Sequence, residues 1–261
     1  MRFEINRRMK TKKFGERVYY FERVTSTMDI ARELAEKDEP EGTVVVAETQ
    51  TTGRGRFQRE WYSPPGGVYF SLILRPAFLA ENVPKINFLA AVAVAETLKE
   101  LYRLNVKTKW PNDILVGEKK ICGILTEAGM EGKKLKWVIL GIGINANFEI
   151  KKLGKTIIPA TSLKEELKKE VSLEELLQRL FERLESNYLR VKKEGFAWLL
   201  KRWKTFSDTL GRNVKVQTSE GIFLGKALDI NSDGALVLRL SNGKKKKILA
   251  GDCYHLRKKG G

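Results

Sequence analysis

Residues 43–74 read TVVVAETQTTGRGRFQREWYSPPGGVYFSLIL. Thr43 to Ala47 and Val68 to Leu74 are enriched in β-branched and aromatic residues, which predicts two strands. The polar stretch between them, carrying glycine and proline, is a loop of about 20 residues, a length that in a compact domain marks function or disorder. Within it, Thr51-Thr52-Gly53-Arg54-Gly55-Arg56-Phe57-Gln58-Arg59-Glu60-Trp61 sets three arginines among glycines and ends on an aromatic. Glycine lets a backbone approach a ligand closely, arginine offers paired donors to carboxylate or phosphate, and Trp61 can stack on a planar base. The segment lacks the GxxxxGK[ST] order of a P-loop. It reads as an anion-binding loop of another kind, an RG-type nucleic-acid contact, or a solvated basic loop.

On the N-terminal side, Arg17 to Thr25 is β-rich and leads to Ser26-Thr27-Met28-Asp29, a capping-box-like start for a helix carrying Ile30, Ala31, Leu34 and Ala35 on one face. On the other side, Asn87 to Leu101 is an Ala-rich apolar helix, followed by strand-like runs at Val106 to Trp110, Ile121 to Glu127 and Trp137 to Ile144. After a charged loop, Ser172 to Lys193 places Leu173, Leu176, Leu177, Leu180, Phe181, Leu184 and Tyr188 at helical spacing, which reads as a core stripe, and a second helix covers Phe196 to Thr205. The pattern changes at Leu210-Gly211, where Val214 to Val216, Ile222 to Leu228, Ala235 to Leu240 and Lys246 to Leu249 are short strands spaced by Gly, Asn, Ser and Asp turns. These features predict an α+β chain in three parts: a mobile basic arm at 1–13, a domain of strands and helices at 14–205, and a small β-barrel at 206–261.

Three further segments carry chemistry. Lys109-Trp110-Pro111-Asn112-Asp113 ends a strand in a turn, with proline fixing φ and Asn and Asp free to bond the local backbone. Lys120 opens the next strand, Ile121-Cys122-Gly123-Ile124-Leu125, where it could meet a phosphate or remain solvated. Gly141-Ile142-Gly143-Ile144-Asn145-Ala146 formally fits a dinucleotide fingerprint, but no βαβ unit with a later acidic residue follows, so tight packing or close ligand approach is the better reading.

Composition removes several function classes. A single histidine, His255, leaves no helical zinc pair and only a remote candidate for a Ser or Cys triad, and Cys122 and Cys253 form no CxxC spacing, so a disulfide framework and a thioredoxin-like motif are not expected. No apolar run approaches the roughly 20 residues of a membrane span, and no secretion signal is visible, which leads to the expectation of a reducing, cytoplasmic setting. The formal charge of +17 attracts anions and is concentrated at the ends, with +5 in residues 1–13 and +6 in residues 206–261. Abundant Lys and Glu with only four Gln also matches a thermophile's composition.

Taken in order, Ser26-Thr27-Met28, Gln50, Gly53-Arg54-Gly55-Arg56 with Trp61, Lys109-Trp110-Pro111-Asn112-Asp113, Lys120 with Gly123, Gly141-Ile142-Gly143-Ile144-Asn145 and Ala160-Thr161-Ser162-Leu163 resemble the biotin protein ligase family over about residues 15 to 255. The resemblance implies a mixed-sheet catalytic domain related to lipoate ligases and class II aminoacyl-tRNA synthetases, followed by an SH3-like barrel. It implies activation of biotin by ATP to biotinyl-5′-AMP and pyrophosphate with Mg²⁺, then transfer to a lysine of a biotin carboxyl carrier domain. It implies that Arg54 and Arg56 hold carboxylate and phosphate, that Lys120 bridges both in the transition state, and that Asp113 orients the incoming lysine or binds Mg²⁺. Ser26, Thr27, Met28, Gln50, Gly55 and Gly123 would complete the biotin pocket, the first two and Gln50 bonding the ureido head. Arg59, Trp61, Asn112, Asn145 and Ala160 would serve ATP, with Trp61 covering the adenine side. The family often has Asn at the position of Met28 and Gly at that of Gln58.

The resemblance also implies a homodimer, and since a 13-residue arm cannot hold a helix-turn-helix, biotin-operon repression is not expected. The rivals are a lipoate or octanoate ligase and a nucleic-acid-binding protein, the latter motivated by the charge and the Lys244 to Lys247 run. The arginine loop is expected to repel itself when empty and to order on ligand binding.

Overall fold

The computed structural model describes residues 11–153 and 159–256. The chain opens as β1 (Val18–Val24), α1 (Thr27–Glu36), β2 (Val44–Gln50) and β3 (Val68–Leu74), then α2 (Ile86–Tyr102), and continues through β4 (Val106–Lys109), β5 (Asp113–Val116), β6 (Lys119–Glu131) and β7 (Lys134–Ile144). The first seven strands form one mixed sheet in the order β1-β2-β3-β7-β6-β5-β4, with β1 and β2 parallel and every other pair antiparallel. Next come α3 (Leu163–Leu167), α4 (Leu173–Glu194) and α5 (Ala197–Phe206). The remaining strands, β8 (Asn213–Thr218), β9 (Gly221–Ile230), β10 (Leu236–Leu240), β11 (Lys245–Ile248) and β12 (Asp252–His255), make a small antiparallel sheet, β11-β10-β9-β8-β12.

The faces of the large sheet are covered unequally, and β7 shows why. Its residues Val138, Leu140, Ile142 and Ile144 belong to the main core beneath α2 and α4, while Trp137 and Ile139 join a smaller core with Met28, Ala31 and Ala35 of α1. Beyond α1 the same outward positions become Gly141 and Gly143, so the strand presents bare backbone there. α1 is one short helix and covers only part of its face, whereas α2, α4 and α5 pack together on the other. β3 is buried along its whole length, as its unbroken apolar run requires of a central strand.

The structure corrects several expectations. Ser26 does cap α1, its hydroxyl accepting from the Met28 N–H, but Asp29 does not complete a capping box and instead pairs with Arg54 at 2.9 Å. Sequence reading passes over β5, α3 and β12. β5 is four residues starting at Asp113, inside what reads as a turn; α3 is a single turn within a charged loop; β12 gains its identity only by pairing with β8. Residues 1–10 of the basic arm lie outside the described residues. Its end at Lys12 and Lys13 is tied down, because Glu185 of α4 accepts from the backbone N–H groups of Lys12, Lys13 and Phe14 at 2.8, 2.6 and 3.1 Å. Phe14 is buried against Tyr188.

Glu185 is itself buried, and its removal strands three donors. Glu185→Ala is expected to lower unfolding free energy by roughly 2–3 kcal/mol, the scale for losing hydrogen bonds to a buried charge. A urea midpoint unchanged from the parent protein would contradict this.

The small sheet shares the main hydrophobic core through Val214, Val216, Ala227 and Leu236. Trp110, buried, joins the two units: its backbone N–H donates to Thr209 Oγ1 and its indole to the Gly234 carbonyl. Among the described residues no helix is long and apolar enough to cross a membrane.

Candidate active site

A cavity of about 510 Å³ opens on the sheet face that α1 leaves bare. Its floor is β6 and β7 at Gly123, Gly141 and Gly143. The structure gathers there Thr27, Met28, Gln50, Arg54, Gly55, Arg56, Arg59, Trp61, Asn112, Asp113, Lys120, Gly123, Asn145 and Ala160, that is, every predicted site residue except Ser26. Ser26 is fully buried and spends its hydroxyl on the helix cap.

At one end a neutral polar network is already assembled. Gln50 Oε1 accepts from the Thr27 N–H and hydroxyl at 2.8 and 3.1 Å, Gln50 Nε2 donates to Ser63 Oγ at 2.7 Å, and Ser71 Oγ donates to Thr27 Oγ1 at 2.9 Å. Ser71 is the one polar residue in the run Val68 to Leu74, a break in pattern that marks it, though no reading of sequence alone shows that it meets Thr27.

At the other end cations gather. Lys120 Nζ lies 2.6 Å from Asp113 Oδ1 and sits over the Trp61 ring, 5.1 Å from its centroid. The strand start is held on its other side by the segment at Ala160, for Lys120 N–H donates to the Pro159 carbonyl and Thr161 N–H to that of Lys120. Asn145 donates to the Thr161 carbonyl, and among the described residues its buried Oδ1 has no partner.

The arginine loop lies across the opening with each guanidinium engaged. Arg54 pairs with Asp29 and with Glu127 at 2.7 Å, and Arg59 pairs with Asp252. Arg56 donates to Asn112 Oδ1 at 3.1 Å and to the Gly251 carbonyl at 2.9 Å. The self-repulsion expected of the loop is therefore offset by partners on α1, β6 and the small sheet. Burial lowers the pKa of the Arg56 guanidinium from its ordinary value, while Asp252 and Asp113 pull the other way. Phe57 and Gln58 take positive φ, 54° and 58°. Gln58 thus adopts the backbone conformation that glycine enters most easily.

The sequence did not point to the contribution of the small sheet. Asp252, Cys253 and Tyr254 of β12 line the cavity, as do Lys109 and Tyr62. Both cysteines are free and buried; burial pushes the Cys253 thiol up to about 12 against the opposing pull of Lys109, so it stays a neutral wall group.

The family model described as "Biotin/lipoate A/B protein ligase family" matches residues 20–145, and that described as "Biotin protein ligase C terminal domain" matches residues 209–256. The chain is 38% identical over 245 residues to the bifunctional ligase/repressor BirA of Bacillus subtilis, covering 93% of this chain and 75% of that protein. It is 33% identical over 212 residues to the biotin--[acetyl-CoA-carboxylase] ligase of Paracoccus denitrificans, covering 77% of this chain and 85% of that one. The biotin protein ligase of Aquifex aeolicus in complex with biotin and ATP superposes with a TM-score of 0.78 at 31% identity, over 93% of this chain and 100% of that chain. With both family models falling in order on the two sheets, the chain belongs to the biotin protein ligases.

Proposed function

We infer that this chain activates biotin with ATP to biotinyl-5′-AMP and then transfers biotin to a lysine of a biotin carboxyl carrier domain. The observation that carries the reading is one cavity with a neutral hydrogen-bonding end at Thr27 and Gln50 and a cationic end at Arg56, Arg59 and Lys120. A urea head suits the first and a triphosphate the second, so the carboxylate of the bound acid meets the α-phosphate near Lys120. Two anions repel unless fixed cations lie between them, and a cation already oriented by Asp113 and Trp61 needs little reorganisation.

In the first step a carboxylate oxygen attacks the α-phosphorus and pyrophosphate leaves; Lys120 Nζ stabilises the charge shared by both groups. In the second the acceptor amine attacks the acyl carbon and AMP leaves. Asp113 can take the amine proton once Lys120 has turned to the ligand. Among the described residues no three acidic, His or Cys side chains cluster as a metal cage. The unpartnered Asn145 Oδ1 and the Asp113 carboxylate are hard oxygen donors that suit Mg²⁺ carried in with the nucleotide. When bound, the ion neutralises phosphate charge. A cytoplasmic homodimer with no specific nucleic-acid partner accompanies this reading.

The test is the intact mass of a purified carrier domain after incubation with the protein, ATP, Mg²⁺ and either biotin or lipoate. A biotinyl-sized gain on one lysine is expected with biotin and none with lipoate. No gain with either acid, from folded protein, would overturn the reading.

A further inference from the structure

His255 is the only histidine of the sequence and the last residue of β12. Its side chain is largely buried, and both ring nitrogens face the segment between α5 and β8. Nε2 is 3.1 Å from Thr209 Oγ1, and Nδ1 is 3.4 Å from Asp208 Oδ2. Asp208 gives its other oxygen to Arg212 at 2.8 Å, and among the described residues its Oδ2, sealed from solvent, has no hydrogen bond. The proton of a neutral imidazole therefore belongs on Nδ1, where it meets that carboxylate oxygen. Nε2 is then an acceptor, so the buried Thr209 hydroxyl donates to it. The lone pairs of Thr209 Oγ1 are left for the Trp110 backbone N–H, 3.0 Å away.

This chain of bonds completes a circuit at the edge of the cavity. From Trp110 the turn runs to Asn112, whose Oδ1 accepts from Arg56, and Arg56 also donates to the Gly251 carbonyl. Gly251 leads into β12, which ends at His255. Asn112 and Asp113 of the turn and Asp252 and Tyr254 of β12 line the cavity, whereas Thr209 and His255 do not. Among the described residues, the other hydrogen bonds joining the turn to β12 run through the arginine loop; the Trp110 indole reaches Gly234, in the turn before β10. An arginine that turns toward bound anions gives up its contacts with Asn112 and Gly251, and the Thr209–His255 bond is the tie that remains.

We propose that His255 is a positioning residue for adenylation: through the Thr209 hydroxyl it holds the Trp110–Asp113 turn against β12 while Arg56 leaves Asn112 and Gly251 for the ligands. The proposal rests on the ligase reading. With the bridge in place, Asp113 keeps its station beside Lys120 as the guanidinium moves. The neutral end of the cavity, at Thr27, Gln50, Ser63 and Ser71, is bonded within itself and shares no hydrogen bond with Thr209 or His255 among the described residues, so biotin affinity does not depend on the bridge.

Thr209→Val, Thr209→Ser and His255→Phe separate this role from a purely structural one. In Thr209→Val and His255→Phe the kcat of biotinyl-5′-AMP formation is expected to fall roughly 10- to 100-fold, since about 1 Å of misplacement can cost roughly 10²-fold. The Kd of biotin, read by calorimetry, should stay at the parental value in both, which also reports that they fold. Thr209→Ser keeps the hydroxyl and is expected to recover most of the rate. Because the two groups act in series, the double variant should be no slower than the slower single one. The nitrogen spectrum of the one imidazole reads the bond itself, with a protonated Nδ1 and an acceptor Nε2 expected in the parent protein. A proton on Nε2 of the neutral ring, an equal loss of biotin affinity, or fully additive defects would overturn the proposal. Parental kcat in the variants of a protein that does make adenylate overturns the positioning role alone. No adenylate from the parent protein overturns the ligase reading and this role with it.

Discussion

Lys120→Ala is expected to slow biotinyl-5′-AMP formation by roughly 10²- to 10³-fold, the scale for removing one oriented group that stabilises transition-state charge. The ammonium is placed by backbone bonds on two sides, β5 on one and the Pro159–Thr161 segment on the other, so loss of its charge is not made good by a neighbour moving in. The variant carries a second consequence. Asp113 is buried and its Oδ1 sits 2.6 Å from Lys120 Nζ, so truncating the lysine leaves a carboxylate without its cation. Stripping one partner from a buried pair costs about 3–5 kcal/mol, and Lys120→Ala should unfold at a lower temperature for that reason. Lys120→Ala with Asp113→Asn removes the stranded charge. The double variant is expected to recover stability and remain inactive in pyrophosphate release. Near-parental release from either variant would take Lys120 out of the chemistry.

Much of this site could be read in advance because its parts are local. The glycine and arginine spacing of residues 53–59, the turn at Trp110 to Asp113 and the glycines of Gly141 to Asn145 each have a short-range reason to be where they are. Helix α4 shows its buried stripe through a 3.6-residue period, and its Ser172 cap accepts from the Glu175 N–H. What escaped the sequence depends on contacts between distant segments. Ser26 has the chemistry of a ligand group, but its position at the start of α1 commits it to capping. Asp252, Cys253 and Tyr254 acquire a role only because Trp110 docks the small sheet beside the cavity.

Gly143→Ala is expected to disable ligand binding through a tryptophan it does not neighbour in sequence. A Cβ at position 143 would lie 2.3 Å from Trp61 Nε1, and one at Gly123 would lie 2.8 Å from Trp61 Cζ3, so the indole rests directly on the glycine floor. The strand cannot retreat: Gly143 is paired with Tyr69 of β3 on one side and Gly123 of β6 on the other. Trp61 cannot slide back either, because its backbone N–H donates to the Gly53 carbonyl at 2.7 Å. The ring must therefore rotate off the floor, losing its stacked contact with Lys120 and entering space the ligands need. Overpacking of this kind costs about 1–3 kcal/mol of stability. Binding should suffer more, with affinity for biotin and ATP falling tenfold or more, since about 1.4 kcal/mol lost at the site suffices for that. The coupling can be isolated. Trp61→Phe shortens the ring, so in the Gly143→Ala background it is expected to restore part of the binding, although in the parent protein it weakens it. Titration of both ligands into the four proteins reads this sign change directly. If the two substitutions merely add, Trp61 and the glycine floor do not act together and the cavity is shaped some other way.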